Sequence, residues 1–128
     1  MTQQRGKRPL PVRPEGSFHP APSADGVIAG GFIFLGAIRG AGETTEEQAR
    51  SAFETIKSLL APAGAGLEDV VRVTVYYQDM AYRSELQKVW VEYFPENPPA
   101  RVAVGVANAS NSPGGTSRFV MEVVALEP

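Results

Sequence analysis

The chain has 128 residues, of which 43% are hydrophobic and 20% charged, a composition typical of one globular domain and not of a disordered chain. Twelve Lys and Arg residues against fourteen Asp and Glu residues give a formal net charge of -2, which disfavours a nucleic-acid partner. With no cysteine and one histidine, the chain cannot build a thiolate or multi-histidine metal site, although an all-carboxylate site remains formally possible.

Residues 1–22 are rich in proline and basic residues and show little periodicity, which predicts an extended arm rather than a helix or strand. We expect its basic residues to be solvated and the lone histidine, His19, to lie at the surface. No apolar stretch follows these basic residues as in a signal peptide, and no apolar run approaches the roughly 20 residues of a membrane span. These features predict a cytoplasmic protein with one domain at residues 23–128.

Two short apolar segments, residues 27–28 and 32–35, flank Gly30-Gly31 and predict strands joined by a tight turn. Residues 44–47 match a capping box, in which a threonine hydroxyl and a glutamate carboxylate each accept a hydrogen bond from a backbone N–H. Apolar residues then recur at helical spacing as far as Leu60, before a proline and a glycine. This pattern predicts a helix that packs one face on the core.

The second half of the chain predicts three more strands and one more helix. Residues 70–78 alternate and indicate a half-buried strand, whose core face would carry Val71, Val73, Val75 and Tyr77. An amphipathic helix is predicted by five apolar residues at helical spacing, of which we assign Trp90 to the core: Leu86, Val89, Trp90, Tyr93 and Phe94. Residues 101–107 and 118–126 predict strands, and the polar residues 108–117 between them predict a flexible hairpin loop.

The order of these elements, β-β-α-β-α-β-β, predicts an α+β domain with a mixed sheet. Both crossover helices would cover one face of the sheet, because such crossovers are right-handed. Residues 32–35 and 119–124 are apolar on both sides, so the helix-free face would expose a hydrophobic patch. We therefore expect other subunits to cover that face.

Residues 98–106, with the sequence PPARVAVGV, resemble the signature segment of the Rid (YjgF/YER057c/UK114) family. The likeness covers about four-fifths of the chain and extends to residues 30–36, 47–60, 63–64, 70–79 and 121–125. The resemblance implies a chorismate-mutase-like (bacillus-type) fold, a homotrimeric barrel with its helices outside, and ligand clefts between subunits.

The resemblance also implies a reaction and an anchor residue. Deaminases of this family hydrolyse reactive 2-enamines and 2-imines of amino acids to 2-keto acids and ammonia without a cofactor, and an arginine at the position of Arg101 holds the substrate carboxylate. A guanidinium suits this role because its planar fork matches a carboxylate bidentately. Backbone groups near Gly36 and Ala103 would orient the nitrogen end. The alternative for Arg101 is a structural ion pair.

Several positions depart from the family pattern. Leu35 stands where serine is common, Ala37 where glutamine often occurs, and Gln87 matches a common asparagine, while the usual tyrosine position falls near Ser23. Leu35 and Ala37 predict a more apolar pocket and a specialised larger or apolar substrate.

The catalytic carboxylate leaves two alternatives open. Family members often end with two acids spaced by one residue, the first of which lines the site, but this chain has only Glu122. The best register pairs Glu122 with the second acid and leaves Val120 in the catalytic place, whereas a shift of two residues restores Glu122 to the first. Because Glu122 shares a strand face with Val120, Val124 and Leu126, its charge needs a partner or a raised pKa.

Two functions therefore compete. The first is hydrolytic deamination of a small carboxylate-bearing enamine or imine, with Arg101 and Glu122 as catalytic residues and Leu35, Gly36, Gln87 and Ala103 around the substrate. The second is metabolite binding or regulation by a non-catalytic trimer. A ribonuclease role is disfavoured by the net negative charge.

Overall fold

The computed structural model describes residues 6–10, 24–110 and 114–128, and these residues form six β-strands and two α-helices. The strands and helices are β1 (Arg8–Leu10), β2 (Gly26–Ala29), β3 (Phe32–Ile38), α1 (Thr45–Leu60), β4 (Val70–Tyr77), α2 (Arg83–Tyr93), β5 (Ala100–Gly105) and β6 (Phe119–Leu126). Single turns of 3-10 helix follow α1 and precede β4 and α2, at Ala61–Ala63, Leu67–Asp69 and Met80–Tyr82. In this part of the chain, neither helix is long and apolar enough to cross a membrane.

All six strands form one mixed sheet in the order β1-β2-β3-β6-β4-β5. The crossover through α2 returns β5 parallel to β4 at the edge of the sheet, and β6 inserts antiparallel between β3 and β4. The element order predicted from β2 onwards is therefore confirmed. The predicted hairpin between β5 and β6 is wrong, because β4 lies between these two strands and pairs with both.

The expectation that the arm contributes no element is wrong for β1. Its three residues pair antiparallel with β2, and Leu10 is buried against the core. Arg8 forms an ion pair with Glu127 just beyond β6. Pro9 is tolerated because β1 is an edge strand, where a missing N–H leaves no partner unpaired. His19 and Ser23 lie outside the described residues.

Helix α1 begins as the sequence predicts. The Thr44 hydroxyl accepts a hydrogen bond from the Glu47 N–H, and the Glu47 carboxylate accepts hydrogen bonds from the N–H groups of Thr44 and Glu43. The helix ends at Leu60, and Gly64 adopts a left-handed conformation after it. These local signals fix both ends of α1.

Both helices pack on one face of the sheet, as predicted. Their buried residues join the alternate residues of β3, β4 and β6 in a single core, which includes Ile33, Leu35, Phe53, Val73, Val75, Tyr77, Leu86, Val89, Trp90, Met121 and Val123. The prediction for Val71 is wrong: the register of β4 against β6 shifts between Val70 and Arg72, so Val70 is buried and Val71 is exposed.

No helix of the described residues covers the opposite face of the sheet, which carries several exposed apolar side chains and so confirms the predicted patch. Its side chains are 39–45% exposed at Phe32, Phe34, Val102 and Leu126. The Phe32 and Phe34 rings lie beside each other, with centroids 6.2 Å apart. We call this surface the open face.

Candidate functional site

A cleft of about 470 Å³ opens between the start of α2 and the edge strand β5. It brings together three of the residues predicted from the sequence, Gln87, Arg101 and Ala103. We call it the arginine cleft, and its described lining is Met80, Ala81, Arg83, Ser84, Gln87, Arg101 and Ala103. Arg101 and Ala103 reach it because side chains alternate along β5 and these two point towards α2.

The Arg101 guanidinium lies over an aromatic ring. Its central carbon is 4.6 Å from the centroid of the Trp90 ring, a cation–π distance. Trp90 is itself held by Phe53 and Phe94, whose ring centroids lie 6.0 and 4.6 Å from its own. Within the described residues, no carboxylate forms an ion pair with Arg101. The guanidinium is therefore oriented by stacking while its N–H groups stay available to a ligand.

Sequence reasoning missed a second guanidinium in the arginine cleft, that of Arg83. Burial raises the pKa of the Tyr77 phenol, and the charges of Arg101 and Arg83 both lower it, so both cations act on one buried group. The described lining contains these two arginines and neither Asp nor Glu. The spacing could have indicated that Arg83 lines the cleft, because Arg83 lies four residues before Gln87 on the same helix face.

A second cavity, of about 420 Å³, lies on the open face. We call it the open-face groove, and its described lining is Arg72, Thr74, Tyr76, Val102, Val104, Glu122 and Val124. The Tyr76 hydroxyl donates a hydrogen bond of 2.6 Å to the Glu122 carboxylate. This bond, followed by burial and the carboxylate charge, raises the pKa of Tyr76. Glu122 thus has the partner that its apolar strand face requires, and sequence reasoning did not identify Tyr76.

The structure places Arg101 and Glu122 on opposite faces of the sheet. Arg101 pairs with Val73, which faces the core, whereas Glu122 pairs with Thr74, which lines the open-face groove. A single chain therefore does not bring the guanidinium and the carboxylate into one cleft. Val120 lies two residues before Glu122 on β6, on the same face of the sheet, and is half-buried.

The residues predicted around Gly36 do not line either cavity. Leu35 is only 2% exposed and belongs to the core, so the expectation that its side chain makes a pocket apolar is wrong for the single chain. The register of β3 against β6 shifts between Leu35 and Ile38. Within this irregularity Gly36 is exposed and donates its N–H to the Asp25 carbonyl, and Ala37 has a φ of 58°.

No group of three metal-ligating side chains is present among the described residues. The described lining of the arginine cleft holds two guanidiniums, one amide and no carboxylate, so its charge disfavours a metal cation. The chemistry that it supports is the binding of an anion.

The sequence matches known proteins over most of its length. Residues 25–126 match the family model described as Endoribonuclease L-PSP. A RutC family protein of Pyrococcus abyssi is 43% identical over 94 residues, which cover 67% of this chain and 74% of the relative. The 3-aminoacrylate deaminase RutC of Acinetobacter baylyi is 33% identical over 104 residues, covering 74% of this chain and 82% of that protein.

Solved structures show the same fold. RidA from the Antarctic bacterium Psychrobacter sp. PAMC 21119 superposes with a TM-score of 0.75 at 28% identity, over 85% of this chain and 91% of that one. Rv2704 from Mycobacterium tuberculosis, a member of the YjgF/YER057c/UK114 family, superposes with a TM-score of 0.74 at 28% identity, over 81% and 86%. The chain therefore belongs to the Rid (YjgF/YER057c/UK114) family.

Proposed function

We propose that this protein hydrolyses a reactive 2-enamine or 2-imine carboxylate to a 2-keto acid and ammonia. Family membership supports the reaction class, since one relative is named as a 3-aminoacrylate deaminase. The observation that carries the proposal is the Arg101 guanidinium, which is stacked on Trp90 and has no carboxylate partner in the described residues. Such a group offers a carboxylate two parallel N–H donors in a fixed orientation.

The reaction needs positioning more than a strong nucleophile. Arg101 holds the carboxylate, so that the adjacent C=N carbon lies a short, fixed distance away. An enamine first takes a proton at C3, which converts it to the iminium. Water then adds to the C=N carbon, C2, a proton passes from that water to nitrogen, and the C2–N bond breaks to leave the keto acid and ammonium. Fixed geometry and proton transfer supply the acceleration, and no cofactor enters the balance.

The site is completed, in this proposal, across a contact between copies in a homotrimer. The exposed apolar side chains of the open face favour its burial against neighbouring copies. Such a contact would let Arg101 of one copy and the Glu122–Tyr76 pair of another border the same cleft. In that arrangement Glu122 would position the attacking water and accept its proton.

A second candidate is a trimer that binds a keto acid without turnover. It is favoured by the separation of Arg101 from Glu122 within one chain and by Val120, which the best register puts in the catalytic place. A ribonuclease role, suggested by the description of the family model, finds less support in a chain of net charge -2.

One assay separates the candidates. An amino-acid oxidase with catalase generates 2-imino acids in place, and their decay and the ammonia released are followed with and without the protein. We expect acceleration by wild type and its loss in Arg101→Ala. Lys88→Gln is the matched control, because it removes a cation from the exposed side of α2, outside both cavities. An unchanged decay rate in the presence of wild type would leave only the binding function.

A further inference from the structure

Arg83 is a charged group of the arginine cleft to which the proposed reaction gives no role. It begins α2, and its side chain lines the cleft together with Arg101. Neither arginine forms an ion pair with any residue that the structure describes. Both line the same cleft, and the charge of each lowers the pKa of the buried Tyr77 phenol.

The positive charge of the cleft is local and does not follow from a basic chain. The net charge is -2. Several other cations are paired with acids, as in Arg8–Glu127, Arg50–Glu92, Lys57–Glu54 and Lys88–Glu46. Two guanidiniums in one cleft, neither paired with a carboxylate of the described residues, repel each other, and a ligand with two anionic groups would neutralise both.

We infer that Arg83 is a specificity-determining residue and that the substrate is a 2-imino or 2-enamine dicarboxylate. Arg101 binds the carboxylate next to the reacting carbon, and Arg83 binds the distal carboxylate. The volume of about 470 Å³ is in the range of small-molecule sites and accommodates a five-carbon diacid. Gln87 adds a neutral amide to the same lining. The inference rests on the proposed function for its reaction, but not for its ligand class.

This assignment replaces the expectation of an apolar substrate. That expectation depended on Leu35 and Ala37, and the Leu35 side chain lies in the core. The groups that do line the cleft with Arg101 include a second cation and an amide. They favour a polar, doubly charged ligand.

Binding is tested with two keto acids of equal chain length, 2-oxoglutarate and 2-oxopentanoate, by titration calorimetry. We expect wild type to bind the diacid at least tenfold more tightly and Arg83→Gln to reduce that ratio to threefold or less. Lys88→Gln, on the same helix but outside the cleft, should keep the wild-type ratio. A wild-type ratio near one, or a ratio that Arg83→Gln leaves unchanged, would overturn the inference.

Turnover is tested in parallel with the imines of glutamate and norvaline, each generated by an oxidase that reduces oxygen, with catalase present. For Arg83→Gln, we expect the loss in kcat/KM to be at least tenfold larger for the glutamate imine. If neither imine is hydrolysed but the binding ratio depends on Arg83, the proposed deaminase function is refuted and the dicarboxylate ligand is supported. If both imines are hydrolysed without preference for the diacid, deamination stands and the role of Arg83 is refuted.

Discussion

The two faces of the sheet offer a ligand different chemistry. Towards α2, Arg101 is stacked on Trp90 in a cleft whose described lining is cationic. Towards the open face, the Glu122 carboxylate bonds Tyr76 among valines. Because side chains alternate between the two faces of a sheet, the guanidinium of Arg101 on β5 and the carboxylate of Glu122 on β6 lie on opposite faces. We therefore propose a site completed by a second copy, and the following experiments test that division.

The largest effect should come from a charge on the open face. Phe34 is 44% exposed there, and we expect Phe34→Glu to convert a trimer to monomers at micromolar concentration. Burying an unpaired carboxylate in such a contact costs about 4 kcal/mol or more. Light scattering measures the change. Val91→Glu, on the exposed side of α2, is the control and should leave the mass unaltered. A wild-type monomer would refute the proposed assembly.

Removing the acid should slow the reaction next most strongly. If Glu122 completes the site from the open face, Glu122→Gln reduces kcat about 100-fold, the scale of a lost general acid or base. Tyr76→Phe keeps the carboxylate but removes its hydrogen bond, so a smaller loss is expected. If turnover is unaffected while the melting temperature changes, Glu122 is structural and Val120 occupies the catalytic place.

A substitution of Arg101 should weaken ligand binding by a smaller factor than the substitution of Glu122 reduces turnover. We expect Arg101→Lys to weaken binding of 2-oxobutanoate about 30-fold, or about 2 kcal/mol, because a lysine cannot donate two parallel bonds. Calorimetry gives the affinity, and circular dichroism should show an intact fold. Equal affinities for the two proteins would assign Arg101 to structure.

A substitution away from both cavities should affect stability alone. Thr44→Ala removes the hydroxyl that caps α1, and we expect it to lower the free energy of unfolding by about 1 kcal/mol. Urea unfolding measures this loss. Keto-acid affinity should not change, since Thr44 lies in neither lining.

The smallest effect is a pH dependence at the same cap. Hydrogen bonds from the N–H groups of Glu43 and Thr44 lower the pKa of Glu47 below its ordinary 4.5. The ionised Glu47 carboxylate therefore stabilises the folded state above pH 4.5, and this contribution is lost as the pH falls through the folded-state pKa of Glu47. Glu47→Gln should make unfolding stability less sensitive to acid in that window. An unaltered acid profile would contradict the role of this carboxylate.

Local patterns in the sequence predicted the elements whose causes are local. The capping box defined the start of α1, and the spacing of Leu86, Val89 and Trp90 defined α2. Leu35 could also have been assigned correctly, because it alternates with Ile33 along a strand whose inner face is core. The family resemblance instead led to the expectation that Leu35 lies in the substrate pocket.

Other features depend on partners distant in sequence. β1 is three residues long and contains a proline, so only its pairing with β2 makes it a strand. The exposure of Val71 follows from a register shift against β6. The arginine cleft forms only when α2 packs beside β5, and Arg83 acquires its significance from Arg101 across that gap.

The central position of β6 has a consequence for how the chain acquires its structure during synthesis. β2 and β3 can form a hairpin early, and β4 can pair with β5, but among the described strands only β6 joins these two halves. Residues 119–126 emerge from the ribosome after the other described strands. Until then, the β2–β3 and β4–β5 halves of the sheet each have an exposed edge where β6 will pair. We therefore expect the domain to fold late and cooperatively, and the edges of β3 and β4 to be exposed until β6 has been synthesised.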